Sequence, residues 1–184
     1  DILVQNEANT GNPDTINALA FGLSAGAAEG AALDPVSGEL SLGGTTNAVT
    51  DTYTIGLDGS GDVQVTVNGT MSTFTAGDVT DITIFGTDDD DTFTLDFANG
   101  NPIPAGGLTF AGGAQATAVG DAIVITGNAS AFTTQDFTFT GQDAEGNNGT
   151  ITINDGAVTR TITFTGADPI SGGDSVNTTF TLPV

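Results

Sequence analysis

The residues best suited to chemistry are aspartates gathered in turns. Asp88, Asp89, Asp90 and Asp91 stand side by side, and Asp58-Gly59-Ser60-Gly61-Asp62 puts two more around glycines. Asp121 follows a glycine in a third such place. Adjacent carboxylates repel, so such turns are stable either fully solvated or holding a hard cation through oxygen ligands. Calcium is therefore the candidate cofactor, with Asp58, Asp62, Asp88, Asp89, Asp90, Asp91 and Asp121 as candidate ligands. A solvated acidic edge is the plain alternative. Calcium-binding β-roll repeats read Gly-Gly-x-Gly-x-Asp-x-apolar-x. Gly86, Asp91 and Phe93 fit that pattern, whereas Thr87 and Asp89 replace its other glycines. Asp58 to Asp62 has no downstream bidentate Glu, which sets it apart from an EF-hand loop.

Other chemistries lack their residues. The 184-residue chain has no His, Cys or Lys, and Arg160 is its single cation. Thiolate and imidazole metal sites, the usual general bases and the amine nucleophiles are thereby excluded. Only paired-carboxylate glycan chemistry remains, and without Trp and with a lone Tyr53 the chain has little to grip sugars. The expectation is a protein that is not an enzyme. A net charge of −22 repels nucleic acid and anionic membranes. No apolar run approaches the roughly 20 residues of a membrane span. A disulfide-free acidic chain that begins at Asp1 without Met fits a processed, secreted protein or an excised fragment. Four Asn-x-Ser/Thr sequons, at Asn68, Asn128, Asn148 and Asn177, are no more than a Thr-rich composition would give by chance.

The elements that must position these turns are strands. Thr, Gly, Val, Ile and Phe dominate, in short alternating runs bounded by Gly, Asp or Asn, so the expected class is all-β. Five segments share a strand–turn–strand plan, beginning near Tyr53, Ile82, Leu108, Phe137 and Ile162. Their first strands recur at roughly 25 to 29 residues, within the range of solenoid repeats. Short third elements intervene at 72–75, 102–104, 131–133 and 158–159. Three short strands per turn favour a parallel β-helix, whose acidic turns would stack into one stripe. An antiparallel β-sandwich of hairpins is the alternative. Residues 1–48 form an N-terminal cap, linker or assembly segment, and 49–184 the repeat domain. Within the cap, Asp14 could start a short helix through Leu23; alternatively the stretch is an irregular first coil with Glu39 to Leu42 as one strand.

Several phrases in order resemble a repeat of very large bacterial surface proteins, of the kind common in planctomycetes. They are Asp91-Thr92-Phe93-Thr94-Leu95-Asp96-Phe97, Gly100-Asn101-Pro102-Ile103-Pro104, Gly106-Gly107-Leu108-Thr109-Phe110 and Thr163-Phe164-Thr165-Gly166-Ala167-Asp168-Pro169-Ile170. The resemblance spans roughly residues 50 to 182 and implies a secreted, adhesin-like or cell-envelope protein with β-helical coils. The leading expectation is thus an extracellular structural subunit of a fibre, stalk or coat. Its partners would be copies of itself or neighbouring repeats, joined through Ile2, Leu3 and Val4 at one end and Phe180, Leu182 and Val184 at the other. A calcium-dependent adhesin that contacts polysaccharide is the second expectation, and a carboxylate-based polysaccharide enzyme the remotest.

Overall fold

The structure is a computed structural model, described here for residues 29–45, 49–127, 132–172 and 175–183. Ile2, Leu3, Val4 and Val184, and the alternatives for residues 14–23, lie outside the described residues.

The protein is all-β. Its strands are β1 (Gly30–Leu33), β2 (Glu39–Gly43), β3 (Thr52–Leu57), β4 (Val63–Val67), β5 (Thr70–Phe74), β6 (Asp81–Phe85) and β7 (Thr92–Asp96). After these come β8 (Leu108–Ala111), β9 (Asp121–Thr126), β10 (Thr134–Asp143), β11 (Gly146–Asn154), β12 (Thr159–Ser171) and β13 (Asn177–Thr181). A 3₁₀ turn, Ala76–Asp78, precedes β6.

All these strands join one 13-stranded sheet, and two rows of parallel pairing organise it. In the first row β2, β6, β8 and the first half of β12 align Leu40, Ile82, Leu108 and Ile162. The same register aligns Leu42, Ile84, Phe110 and Phe164. In the second row β3, β7, β9 and the end of β12 align Tyr53, Phe93, Ile123 and Ile170. Long β12 serves both rows and passes from one to the other at Gly166, where φ is +71°. Alternate residues face inward, as period-2 patterning requires, so each aligned set is an apolar ladder inside the molecule. Of those named, all but Ile170 are buried in one core. Phe93 stacks on Phe110 across that core at 5.6 Å between ring centroids. The sheet curls into a nearly closed, barrel-like form, with β1 against β4 and β5.

Antiparallel strands flank the rows. β1 covers β2, the β4–β5 hairpin extends from β3, and β11, followed by β10, lies along β12. The strand–turn–strand segments expected to be alike therefore divide into kinds. Those starting at Tyr53 and Phe137 are hairpins, β3 with β4 and β10 with β11. In those starting at Ile82 and Leu108 the two strands part and join different rows. The steady repeat is corrected accordingly: hairpins inserted between row strands make the spacing of true partners uneven. Of the third elements, 72–75 falls largely within β5, and 102–104 is not a strand, although Ile103 is buried. Phe132 is also buried, edge-on to Phe97 at 4.5 Å.

Candidate functional site

Where the chain leaves the first row and enters the second, it passes through a turn with a glycine at its start and an aspartate at its end. The pairs are Gly44 with Asp51, Gly86 with Asp91 and Gly112 with Asp121. Because the strands on either side are in register, the aspartates form a column. The backbone N–H of Asp51 donates to Oδ1 of Asp91 at 3.0 Å, and that of Asp91 to Oδ1 of Asp121 at 2.7 Å. The backbone also links the rungs: the carbonyls of Asp51 and Asp91 accept from the N–H groups of Thr92 and Ala122. Carboxylates are drawn inside because they satisfy buried donors that no strand partner reaches.

Each carboxylate also ties down its own turn. The N–H of Thr45 donates to Asp51 Oδ2 at 3.0 Å, and that of Thr87 to Asp91 Oδ2 at 2.7 Å. Asn68 Nδ2 donates to Asp51 Oδ1 at 2.5 Å. Asp121 departs from this pattern. Its Oδ2 is buried without a hydrogen-bond partner among the described residues, and Asp89 Oδ2 is in the same condition. In the last rung Ala167 lies opposite Asp121, so the column of carboxylates ends there.

Glycine is required beside the column. A Cβ on Gly86 would overlap the Gly112 carbonyl oxygen and lie 2.9 Å from Asp91 Oδ2. One on Gly112 would lie 2.5 Å from Asp121 Oδ2 and 2.9 Å from the Gly166 carbonyl oxygen. These bare Cα atoms are what allow oxygens of successive rungs to come together.

The electrostatics follow from burial and like charge. Burial pushes the Asp91 carboxyl up to about 6, against the hydrogen bonds from Thr87 and Asp51, with the Asp51 charge adding to the rise. Asp121 rises further, to about 7, through burial and the charges of Asp91, Asp90 and Asp89, opposed by the Asp91 N–H. Tyr53, whose hydroxyl donates to the Phe85 carbonyl at 3.1 Å, is raised by burial and by Asp91, Asp51 and Asp121. Asp90 moves down because Thr117 donates to it from both its hydroxyl and its N–H.

Among the residues expected as ligands, Asp89, Asp90, Asp91 and Asp121 come together in two stacked turns. Asp88 is exposed on the same turn. Asp58 and Asp62 sit elsewhere, in the tip between β3 and β4. There Asp58 Oδ1 accepts from the N–H groups of Ser60 and Asp62, and Asp62 Oδ1 accepts from that of Ala76. No cluster of three or more acidic side chains with metal-holding geometry occurs among the described residues. Asp51 was missed from sequence, although Asp51-Thr52-Tyr53-Thr54-Ile55 repeats the pattern of Asp91-Thr92-Phe93-Thr94-Leu95. Arg160 donates to the carbonyls of Ile103 and Thr159, and its charge helps hold Asp155 down. Of the residues expected to join copies, Phe180 and Leu182 are exposed, on and just after β13.

Comparisons with protein-family models, curated proteins and solved structures find no match to the chain. No helix of the described residues is long and apolar enough to cross a membrane.

Proposed function

We propose that this chain is a structural segment of an extracellular fibre, stalk or coat, joined to copies of itself through the edges of its sheet. We also read its two parallel rows as coils of a β-helix interrupted by inserted hairpins. The observation that carries the reading is β13. Among the described residues its strand partner is β10, and all five of its residues are exposed. Exposed edges are normally blunted by charge, proline or a covering element. Asn177-Thr178-Thr179-Phe180-Thr181 has no charged residue, in a chain whose net charge is −22. Phe180 and Leu182 add exposed apolar surface at the same place. A molecule that repels its copies almost everywhere leaves this edge as a place where they can meet. Pairing between β13 and a different edge of the next copy does not close, and so it propagates.

Sedimentation velocity across a range of salt and protein concentration, with electron microscopy of the same samples, tests this. Expected are regular oligomers or filaments that salt promotes by screening and that Phe180→Lys disperses. Monomers under every condition would overturn the reading.

A further inference from the structure

The acidic column leaves two oxygens in an unusual condition, and this bears on binding independently of assembly. Asp121 is fully buried and Asp89 only 6% exposed, and Oδ2 of each lacks a hydrogen-bond partner among the described residues. A buried carboxylate oxygen with no donor has lost its hydration and gained nothing in return. The two belong to one locale. Asp121 Oδ1 holds the N–H of Asp91, two residues from Asp89, and Thr117, in the loop before Asp121, donates its N–H to Asp90 at 2.9 Å. Neutral oxygens gather there too, because Gly86 and Gly112 have no side chain. The Gly112 carbonyl oxygen and Asp91 Oδ2 both lie within 3 Å of where a Cβ of Gly86 would stand, and the Gly166 carbonyl oxygen and Asp121 Oδ2 within 3 Å of where one of Gly112 would.

We propose that the turn Gly86–Asp91 and the loop leading to Asp121 bind one calcium ion, with Asp89 and Asp121 as its carboxylate ligands. Calcium accepts six to eight oxygens in irregular arrangements and takes backbone carbonyls and water along with carboxylates. Two carboxylates with neighbouring carbonyls suit it better than magnesium, which demands near-ideal octahedral geometry. The site is narrower than the stripe of acidic turns expected from sequence: Asp58 and Asp62, spent on their own hairpin tip, take no part.

The chain supplies its own probe. It has no Trp and one tyrosine, Tyr53, whose hydroxyl bonds the residue just before Gly86. Terbium, which substitutes for calcium, should show saturable Tyr53-sensitised luminescence that calcium displaces. Asp121→Asn and Asp89→Asn should each weaken calcium by about tenfold or more, since affinity follows the charge count of the ligands. Asp58→Asn should leave it unchanged. Asn keeps the shape and an acceptor for the Asp91 N–H, and circular dichroism checks that each variant folds. A signal unaffected by Asp121→Asn, or abolished by Asp58→Asn instead, overturns the assignment. So does the absence of any calcium-displaceable signal at millimolar ion.

Discussion

The backbone N–H of Asp91 donates to the carboxylate of Asp121 at 2.7 Å, across 30 residues of sequence. The same bond joins Asp51 to Asp91 across 40. Asp91 and Asp121 are thus side-chain acceptors for the rungs before them, while Oδ2 of Asp51 and of Asp91 takes an N–H of its own turn. The arrangement fixes register, since a one-residue slip would take the carboxylate away from its donor and expose the apolar ladder as well. It also concentrates negative charge where water does not reach. Stability and charge are therefore coupled at this column, more tightly than a net charge of −22 spread over the surface would make them.

That coupling has a definite sign. Burial pushes the Asp91 and Asp121 carboxyls up to about 6 and about 7 in the folded protein, against a usual 3.8. Across the window from 3.8 to about 7 the native state holds more protons than the unfolded chain, so stability falls as pH rises. The contribution is complete below the window and gone above it. Asp34, Asp90, Asp143 and Asp155 are held low by hydrogen bonds, led by Val36, Thr117, Asn148 and Val158, and act oppositely. Their contribution is lost as pH falls through their lowered values. Thermal melts in chelator should peak in mild acid and decline toward pH 8, and Asp121→Asn should flatten that decline. A melting temperature that climbs steadily from pH 5 to pH 8 in chelator would contradict the column's burial.

Glycines differ sharply in what they tolerate. Gly86→Ala drives a Cβ into the Gly112 carbonyl oxygen, a backbone atom that cannot rotate away. Overpacking of this kind costs about 3 kcal/mol or more, enough to unfold a marginal domain. Gly59→Ala and Gly77→Ala meet nothing within 4 Å and need no positive φ. They should be neutral or slightly stabilising, by up to about 1 kcal/mol, through the unfolded chain. Urea denaturation of the three variants gives the comparison directly, and equal losses would show that the stacked turns are looser than described.

The strands themselves were legible in sequence, because alternation such as Ile82-Thr83-Ile84 and Phe93-Thr94-Leu95 fixes which side chains face inward whatever the partner. Pairing was not legible. Leu57 to Val63 and Phe85 to Thr92 are joined by acidic turns of nearly equal length, yet the first closes a hairpin and the second separates its strands. The difference lies in partners far along the chain, to which a local pattern is blind. Asp91 and Asp121 stood out as acids in turns, but their burial did not, since it depends on the next rung supplying an N–H. Asp51 was hidden for the same reason: it looks like an ordinary loop residue until Asp91 is placed beside it. The aligned phrases starting at Asp51 and Asp91 were the one signal that could have exposed the column.

The last strand should be the least protected. Among the described residues β13 has one strand partner and no buried residue, and Phe180 stacks on Phe137 at 4.9 Å between centroids. An element with so little buried area opens on its own, at a free energy well below that of global unfolding. Amides of Asn177–Thr181 should therefore exchange far faster in the monomer than those of β7 or β9, which have a parallel neighbour on each side. Phe180→Ala should speed that exchange further while lowering global stability by only about 1 kcal/mol, because the stack contributes to local docking and little to the main core. Assembly through this edge makes the opposite prediction for wild type at high concentration: pairing on the open side of β13 would slow exchange at these five residues and leave β7 unchanged. Protection at β13 that does not vary with concentration would separate a fraying edge strand from an interface.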